Sequence, residues 1–391
     1  MPGLYGKQQS RLNLERRSGD IRQLAGIRAF TLDDGLERGI RCLEFRTGTG
    51  LAFTVLVDRA MDVAMVDYRG AGVGWQSPTG FRHPGLHENN DEGGLSWLRS
   101  LSGLVQTCGL DHTLFMDADP SEHYHYMHRK TVDSSLHGRI ANIPARLTGY
   151  GERWEGDECI LWCEGTVVQA AVFGEDLHLV RRIEARVGSN SFQLKDRVVN
   201  HGFYRTPHMF LYHINIGYPV LDEGAEFLAP IAHTIWASHE EDLEFQGVGY
   251  LTQPAPQANF HEQVYEHSIR GDDADQVPVA LVNPGFNNGQ GLGLLVEFNR
   301  REFPYMFEWQ NLQEGNYALA IEPSSNHVFG KPFAKERGEL RWLEHNDEFS
   351  YTTRFEILDG QEDIGAARDR ISAICPQPRA EYPEITGNWD D

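Results

Sequence analysis

The chain lacks most of the signatures that would give its chemistry away. No G-x-G-x-x-G or G-x-x-x-x-G-K-[ST] run is present, so nothing points to a bound nucleotide. No G-x-S-x-G elbow marks a hydrolase nucleophile. Only five cysteines occur, without paired zinc-type spacing. Cys159 and Cys163 fall on one strand-like run, ECILWCEG, too far apart along an extended chain to bridge. Free thiols in a reducing compartment are the simplest expectation. Positive charge is scarce: 35 Lys and Arg against 57 Asp and Glu give a net charge of −22. That balance argues against a nucleic-acid partner, because phosphate binding needs a basic face. Long apolar runs are missing too. The longest charge-free stretch, Gln276 to Val296, holds two Pro, four Gly, three Asn and two Gln, so it is no membrane span. The N-terminal MPGLYGKQQSRLNLERR has no apolar core of the kind a signal peptide needs, and a cytoplasmic location is the expectation.

What is present is a globular composition, 40% hydrophobic and 11% aromatic in 391 residues, with 40 Gly and 18 Pro. A chain this long buries roughly three-quarters of its unfolded surface. The many turn residues favour short strands over long helices. Residues 1–38 read as a polar, mildly helical arm. From Gly39 the chain turns apolar and β-branched: GIRCLEFRT and GLAFTVLVDRAMDVAMVDYRG read as strands, the second broken near Asp58 to Asp62. Residues 70–115 lose periodicity and are dense in Gly, Trp, Pro, His and Asn, a long loop of functional composition with one short helix in SWLRSLSGLVQTCG. From Gly138 onward ARLTGYGERW, ECILWCEGTVVQAAVFG, LHLVRRIEARVGS and SFQLKDRVVNHG alternate as successive strands. HMFLYHINIGYPVL, LGLLVEFN, MFEWQNL, YALAIEP and EFSYTTRFEIL continue the pattern. Asp363 to Ile374 reads as a helix or a final extended segment, and residues 376–391 as a loose tail. No repeat or linker divides the chain, so residues 39–375 form one large all-β domain, an antiparallel sandwich.

Three polar residues interrupt apolar strand patterns. Glu322, in YALAIEPSSNH, ends a core strand just before a Pro that stops pairing. Partial burial there raises a carboxylate's pKa toward general-base range, or the acid simply pairs with a Lys or Arg. His213 shares a strand face with Leu211 and Asn215, while Phe210, Tyr212 and Ile214 take the other. A His and an Asn together imply a polar concavity, against the alternative of a satisfied core histidine. His137, followed by Gly138, is either a site residue or a turn former. Among the late aromatics, Trp309, between Glu308 and Gln310, is the one to place under a sugar ring, its neighbours bonding hydroxyls, unless it is simply core. In EHYHYMH, Glu122, His123, His125 and His128 offer enough ligands for a metal, or an exposed polar loop.

HGRIANIPA, YHINIGYP and YALAIEPSSNH, together with VDRAMDVA, GWQSPTGF and CGLDH, resemble the aldose 1-epimerase (galactose mutarotase-like) superfamily. The likeness is greatest to its divergent bacterial branch of aldose-epimerase-like proteins and spans about Gly39 to Leu358. It implies a β-supersandwich with a sugar-binding groove on a concave face. It implies that Glu322 acts as base on the anomeric hydroxyl, that His213 acts as acid on the ring oxygen, and that His137 holds or polarises that oxygen. Carboxylate and imidazolium are then expected on opposite sides of the ring. Substrate contacts are expected from Trp309, Asn215, Asn142, Arg82, Asp111 and Glu308, with no cofactor and no metal. The chain departs from the family pattern in two places. Asp222 and Asp242 both match the usual substrate-binding Asp poorly, and Arg82, Arg99 and Arg139 compete for the Arg near His137. The reading is an anomer-interconverting epimerase of an aldose or aldose derivative, a monomer or homodimer with a small carbohydrate as partner. A metal-assisted sugar isomerase or lyase using His123 and His125, and a non-catalytic sugar-binding protein, stand as alternatives.

Overall fold

A computed structural model describes residues 2–120, 125, 130–238, 249–376 and 387–389. Among them, the strands form three main antiparallel sheets of eight, seven and five strands, which is the all-β, galactose mutarotase-like supersandwich expected. The eight-stranded sheet follows the alternation legible in the sequence. In Asp176–Arg186, Leu177, Leu179, Arg181, Ile183 and Ala185 face the core and the residues between them are half-exposed. The seven-stranded sheet is covered on both faces. Every residue of its Thr206–Ile216 strand is buried. Phe210, Tyr212, Ile214 and Ile216 join the main core, while Leu211 joins a separate aromatic cluster with Trp75, Trp97, Phe307 and Trp309.

The chain differs from expectation at both ends. Gly26–Thr31, inside the segment read as an arm, pairs with Arg41–Arg46 as the first strand of the five-stranded sheet. The break near Asp58 to Asp62 is real: strands Leu51–Leu56 and Asp62–Tyr68 flank it. Gln361–Ile374 is a helix, because Ile364, Ala367 and Ile371 recur on one face and pack on Ala280, Val282, Leu295 and Leu358. The tail contributes at least one packed residue, Trp389, which sits against His327 and Phe333. All five cysteines are free. Among the described residues no helix is long and apolar enough to cross a membrane.

Arg181 ties the three sheets together from inside the core. It lies on the apolar face of its strand, fully buried, and pairs with Asp196 of the neighbouring strand at 2.6 Å. The same nitrogen, Nη2, also donates to the Thr107 hydroxyl of the seven-stranded sheet at 2.8 Å, and Nη1 reaches Asp62 of the five-stranded sheet at 2.7 Å. Tyr212 donates its hydroxyl hydrogen to Asp196. Two carboxylates share one guanidinium here, and each is also hydrogen-bonded by a hydroxyl, Asp62 by Thr107 and Asp196 by Tyr212, which eases the cost of burying them.

Candidate functional site

His213 and Glu322 lie 109 positions apart in the chain and meet through strand register. Thr206–Ile216 pairs with Ala318–Ser324 so that Ile214 faces Ile321 and Leu211 faces Ser324. That register places His213 beside Glu322, and antiparallel partners project from the same face. The imidazole Nε2 lies 3.1 Å from Glu322 Oε1. The same level of the sheet continues through Gln106 on one side and Phe307 and Glu266 on the other.

His137 arrives from a turn. Its φ is 56°, and Gly138 follows at 75° because a Cβ there would collide with the Gly109 and His112 carbonyls. His137 shapes the turn, and its ring comes to 5.7 Å from that of His213, centroid to centroid. Trp97, from the short helical turn Ser96–Arg99, packs on both histidines at 4.4 and 5.4 Å. Trp309 stands edge-on to His213 at 5.1 Å.

A sugar-binding groove on a concave face is expected here, and the side chains that would line it are buried. His213 is 2% exposed, Glu322 3%, Trp97 3% and Trp309 8%. Burial sets the protonation states. It pushes Glu322 up to about 8, with nearby Glu262 adding to the rise, and His213 down to about 4, against a smaller upward pull from Asn215. His137 is held well below the usual imidazole range by burial and then by the charges of His213 and His112. Burial thus favours the uncharged form of both groups, a carboxylic acid beside a neutral imidazole, where a carboxylate and an imidazolium were expected. Asn215 fixes the tautomer: its Oδ1 accepts the His213 Nδ1 hydrogen, which leaves Nε2 as acceptor.

Several expected substrate contacts lie elsewhere. Asn215 is fully buried, and its amide also donates to the Gly103 carbonyl at 3.0 Å, so it orients His213. Glu308 is on the opposite face from Trp309, since successive strand residues alternate. There it meets His267 at 3.4 Å and accepts from Gln310 at 3.0 Å, in the core. Asp111 accepts from Gln169 at 2.6 Å and lies beside Glu175, away from the His213 pair. Asn142 donates to Ser100 at 3.3 Å, and Ser100 in turn bonds the Trp97 carbonyl. The Arg82 carbonyl accepts from buried Arg59 at 3.3 Å, and its Nε is buried without a hydrogen-bond partner. Arg99 pairs with Glu92 on the exposed side, and Asp222 caps its own turn. Asp242, Glu122, His123 and His128 lie outside the described residues. His125 stacks on Tyr204 at 3.8 Å. Among the described residues no group of three or more His, Cys, Asp or Glu is placed to hold a metal.

The residues that sequence reasoning missed are Trp97, Gln106 and Glu262. Glu262 accepts the Trp309 indole hydrogen at 2.9 Å. Trp97 and Gln106 sit in an aperiodic stretch, and Val105–Leu110 hides as a strand because it is buried on both faces. Trp97 Nε1, Gln106 Nε2, His137 Nδ1 and Asn142 Oδ1 are all buried without a hydrogen-bond partner. Buried polar atoms are rarely left so, and this concentration marks a place built for a polar ligand or water.

The fold recurs in solved structures. A candidate aldose 1-epimerase from Klebsiella pneumoniae superimposes with a TM-score of 0.80 at 24% identity, covering 93% of this chain and 92% of that one. A galactose mutarotase-like protein from Clostridium acetobutylicum gives 0.56 at 12% identity, covering 85% and 98%. A galactose mutarotase related enzyme from Lactobacillus acidophilus gives 0.51 at 12% identity, covering 86% and 99%. No curated protein matches the sequence. A family model matches residues 37–357, most of the chain. The protein therefore belongs to the family described as a domain of unknown function, DUF4432, built on the galactose mutarotase-like fold.

Proposed function

We propose that the protein is a carbohydrate epimerase that interconverts the anomers of an aldose or aldose derivative. The observation that carries this reading is the tautomerically matched pair of Glu322 and His213 on an aromatic sheet face. Opening a hemiacetal takes one proton from O1 and gives one to O5. Both oxygens are bonded to C1, so they are close neighbours on one edge of the ring. A carboxylic acid and an imidazole acceptor 3.1 Å apart fit that edge once they part to admit it. Glu322 then donates to O5 while His213 Nε2 accepts from O1. Rotation about C1–C2 and the reverse transfers close the ring on the other face. The expected assignment of roles is thereby exchanged, because burial puts the proton on the glutamate. His137 and Trp309 line the same space, and Trp97 must swing aside for a sugar to reach it.

Exchange NMR against a panel of aldoses, uronates and deoxysugars tests the reading. Accelerated α/β exchange of at least one sugar is expected; none across the panel removes it. The active form has Glu322 protonated and His213 neutral. Activity should therefore fall below about pH 4 as His213 gains a proton and above about pH 8 as Glu322 loses one.

The same burial has a stability signature. The folded-state pKa of Glu322 is raised from 4.5 to about 8, so its contribution to stability is fully present below about pH 4.5 and is lost as pH rises through 8. Glu322→Gln keeps a donor toward His213 and cannot ionise. Denaturant melts should show it little different from wild type at pH 4.5 and more stable by about 2–4 kcal/mol at pH 8. An equal difference at both pH values contradicts the neutral, buried carboxyl.

A further inference from the structure

A second histidine–carboxylate pair occupies the same face of the seven-stranded sheet, two strands from Glu322. Glu266 faces Phe307, which faces Glu322. Two strand spacings separate the carboxylates' backbones, about 10 Å. His327, just beyond the end of the Glu322 strand, directs Nδ1 at Glu266 Oε1, and the Val328 amide donates to Oε2 at 3.0 Å. Glu266 is fully buried, and each of its oxygens accepts from one of these two donors. The arrangement fixes the imidazole with its Nδ1 hydrogen bound and its Nε2 turned away from Glu266. Nε2 lies 3.7 Å from Glu339 Oε2, beyond hydrogen-bond reach, and that oxygen is buried without a partner. A buried acceptor left in this way is an opening for a donor from outside the chain.

His327 and Glu339 line a cavity of about 660 Å³, within the size range of small-molecule sites. Tyr305 lies against the His327 ring at 3.9 Å, and Trp389 approaches it edge-on at 5.3 Å, so two further aromatic side chains border the cavity. The cations along its wall are already matched. Asp275 binds Arg300 at 3.1 Å and Arg301 at 2.6 Å, and Glu339 Oε1 binds Arg337 at 2.9 Å. A phosphate or carboxylate would have to compete with those carboxylates. A neutral ligand rich in hydroxyls meets no such competition: its C–H faces pack on the aromatic rings and its hydroxyls bond His327 Nε2 and Glu339 Oε2.

We propose that this cavity is a second ligand site, separate from the His213–Glu322 pair, for a neutral polyhydroxylated ligand of mono- to disaccharide size, with His327 oriented by Glu266 as its principal hydrogen-bonding group. Ligand-observed saturation-transfer NMR and calorimetry on the full chain test it, with glucose, maltose, lactose and cellobiose as neutral probes and glucose 6-phosphate and glucuronate as anionic ones. Binding of at least one neutral probe is expected, weakened at least tenfold in His327→Ala. Glu266 supports the fold, so Trp389→Ala, near the chain end, serves as the second variant and should weaken the same probe several-fold. Unchanged affinity in both variants overturns the proposal, as does the absence of binding by every neutral probe. Tighter binding of the anionic probes overturns the assignment of ligand class.

Discussion

Glu322→Gln and His213→Asn should each lower kcat for anomer exchange at least 100-fold with the fold intact. Both substitutions are close in shape, and circular dichroism and melting curves should stay near those of wild type or, for Glu322→Gln, above them. A factor of 100 is about 2.7 kcal/mol of barrier, well within what one proton-transfer group supplies. The loss should fall on kcat and kcat/KM alike, since the pair acts on protons that move only in the transition state. The amide introduced by Glu322→Gln would still donate to Nε2 but has no proton to give to O5. The shorter amide of His213→Asn would accept poorly and would leave the Asn215 carbonyl without its ring donor. Rates like those of wild type in both variants would remove the mechanism, whatever the fold resembles. Because the two groups work as one unit, the double variant should be little slower than either single one.

Arg181→Met should destabilise the protein by about 3–5 kcal/mol, the usual cost of removing one partner from a buried ionic cluster. The substitution leaves Asp62 and Asp196 facing each other inside the core with only Thr107 and Tyr212 as donors. Burial already raises Asp62 above the usual carboxylate range even with Arg181 present. The variant should recover part of its stability at acid pH, where both carboxyls are neutral. Chemical denaturation at two pH values measures this. A loss below about 1 kcal/mol would mean that the arginine is no bridge between the sheets.

Arg181 was readable in the chain. In LHLVRRIEAR the positions 177, 179, 183 and 185 are apolar, and residue 181 belongs to that set. The same parity separates His213, Leu211 and Asn215 from Phe210, Tyr212 and Ile214, as the structure shows. Applied to Tyr305–Asn311, two strands away in the sheet, it would have set Glu308 and Trp309 on opposite faces. Other features had no local signal. Trp97 reaches the histidines from a segment without periodicity, so its place depends on what surrounds it. Asn215 reads as a substrate ligand until its neighbour's ring is seen to take its oxygen.

Alternation along each strand is written in consecutive residues. For that reason the β class, the strand runs from Gly138 onward, the two faces of the His213 strand and the interest of His137, His213 and Glu322 were all present in the order of amino acids. Which strands lie side by side, and in what register, is a property of pairs distant in the chain. Only the folded molecule set His213 against Glu322, brought Trp97 over them, and buried both groups so that the charged form of each is disfavoured.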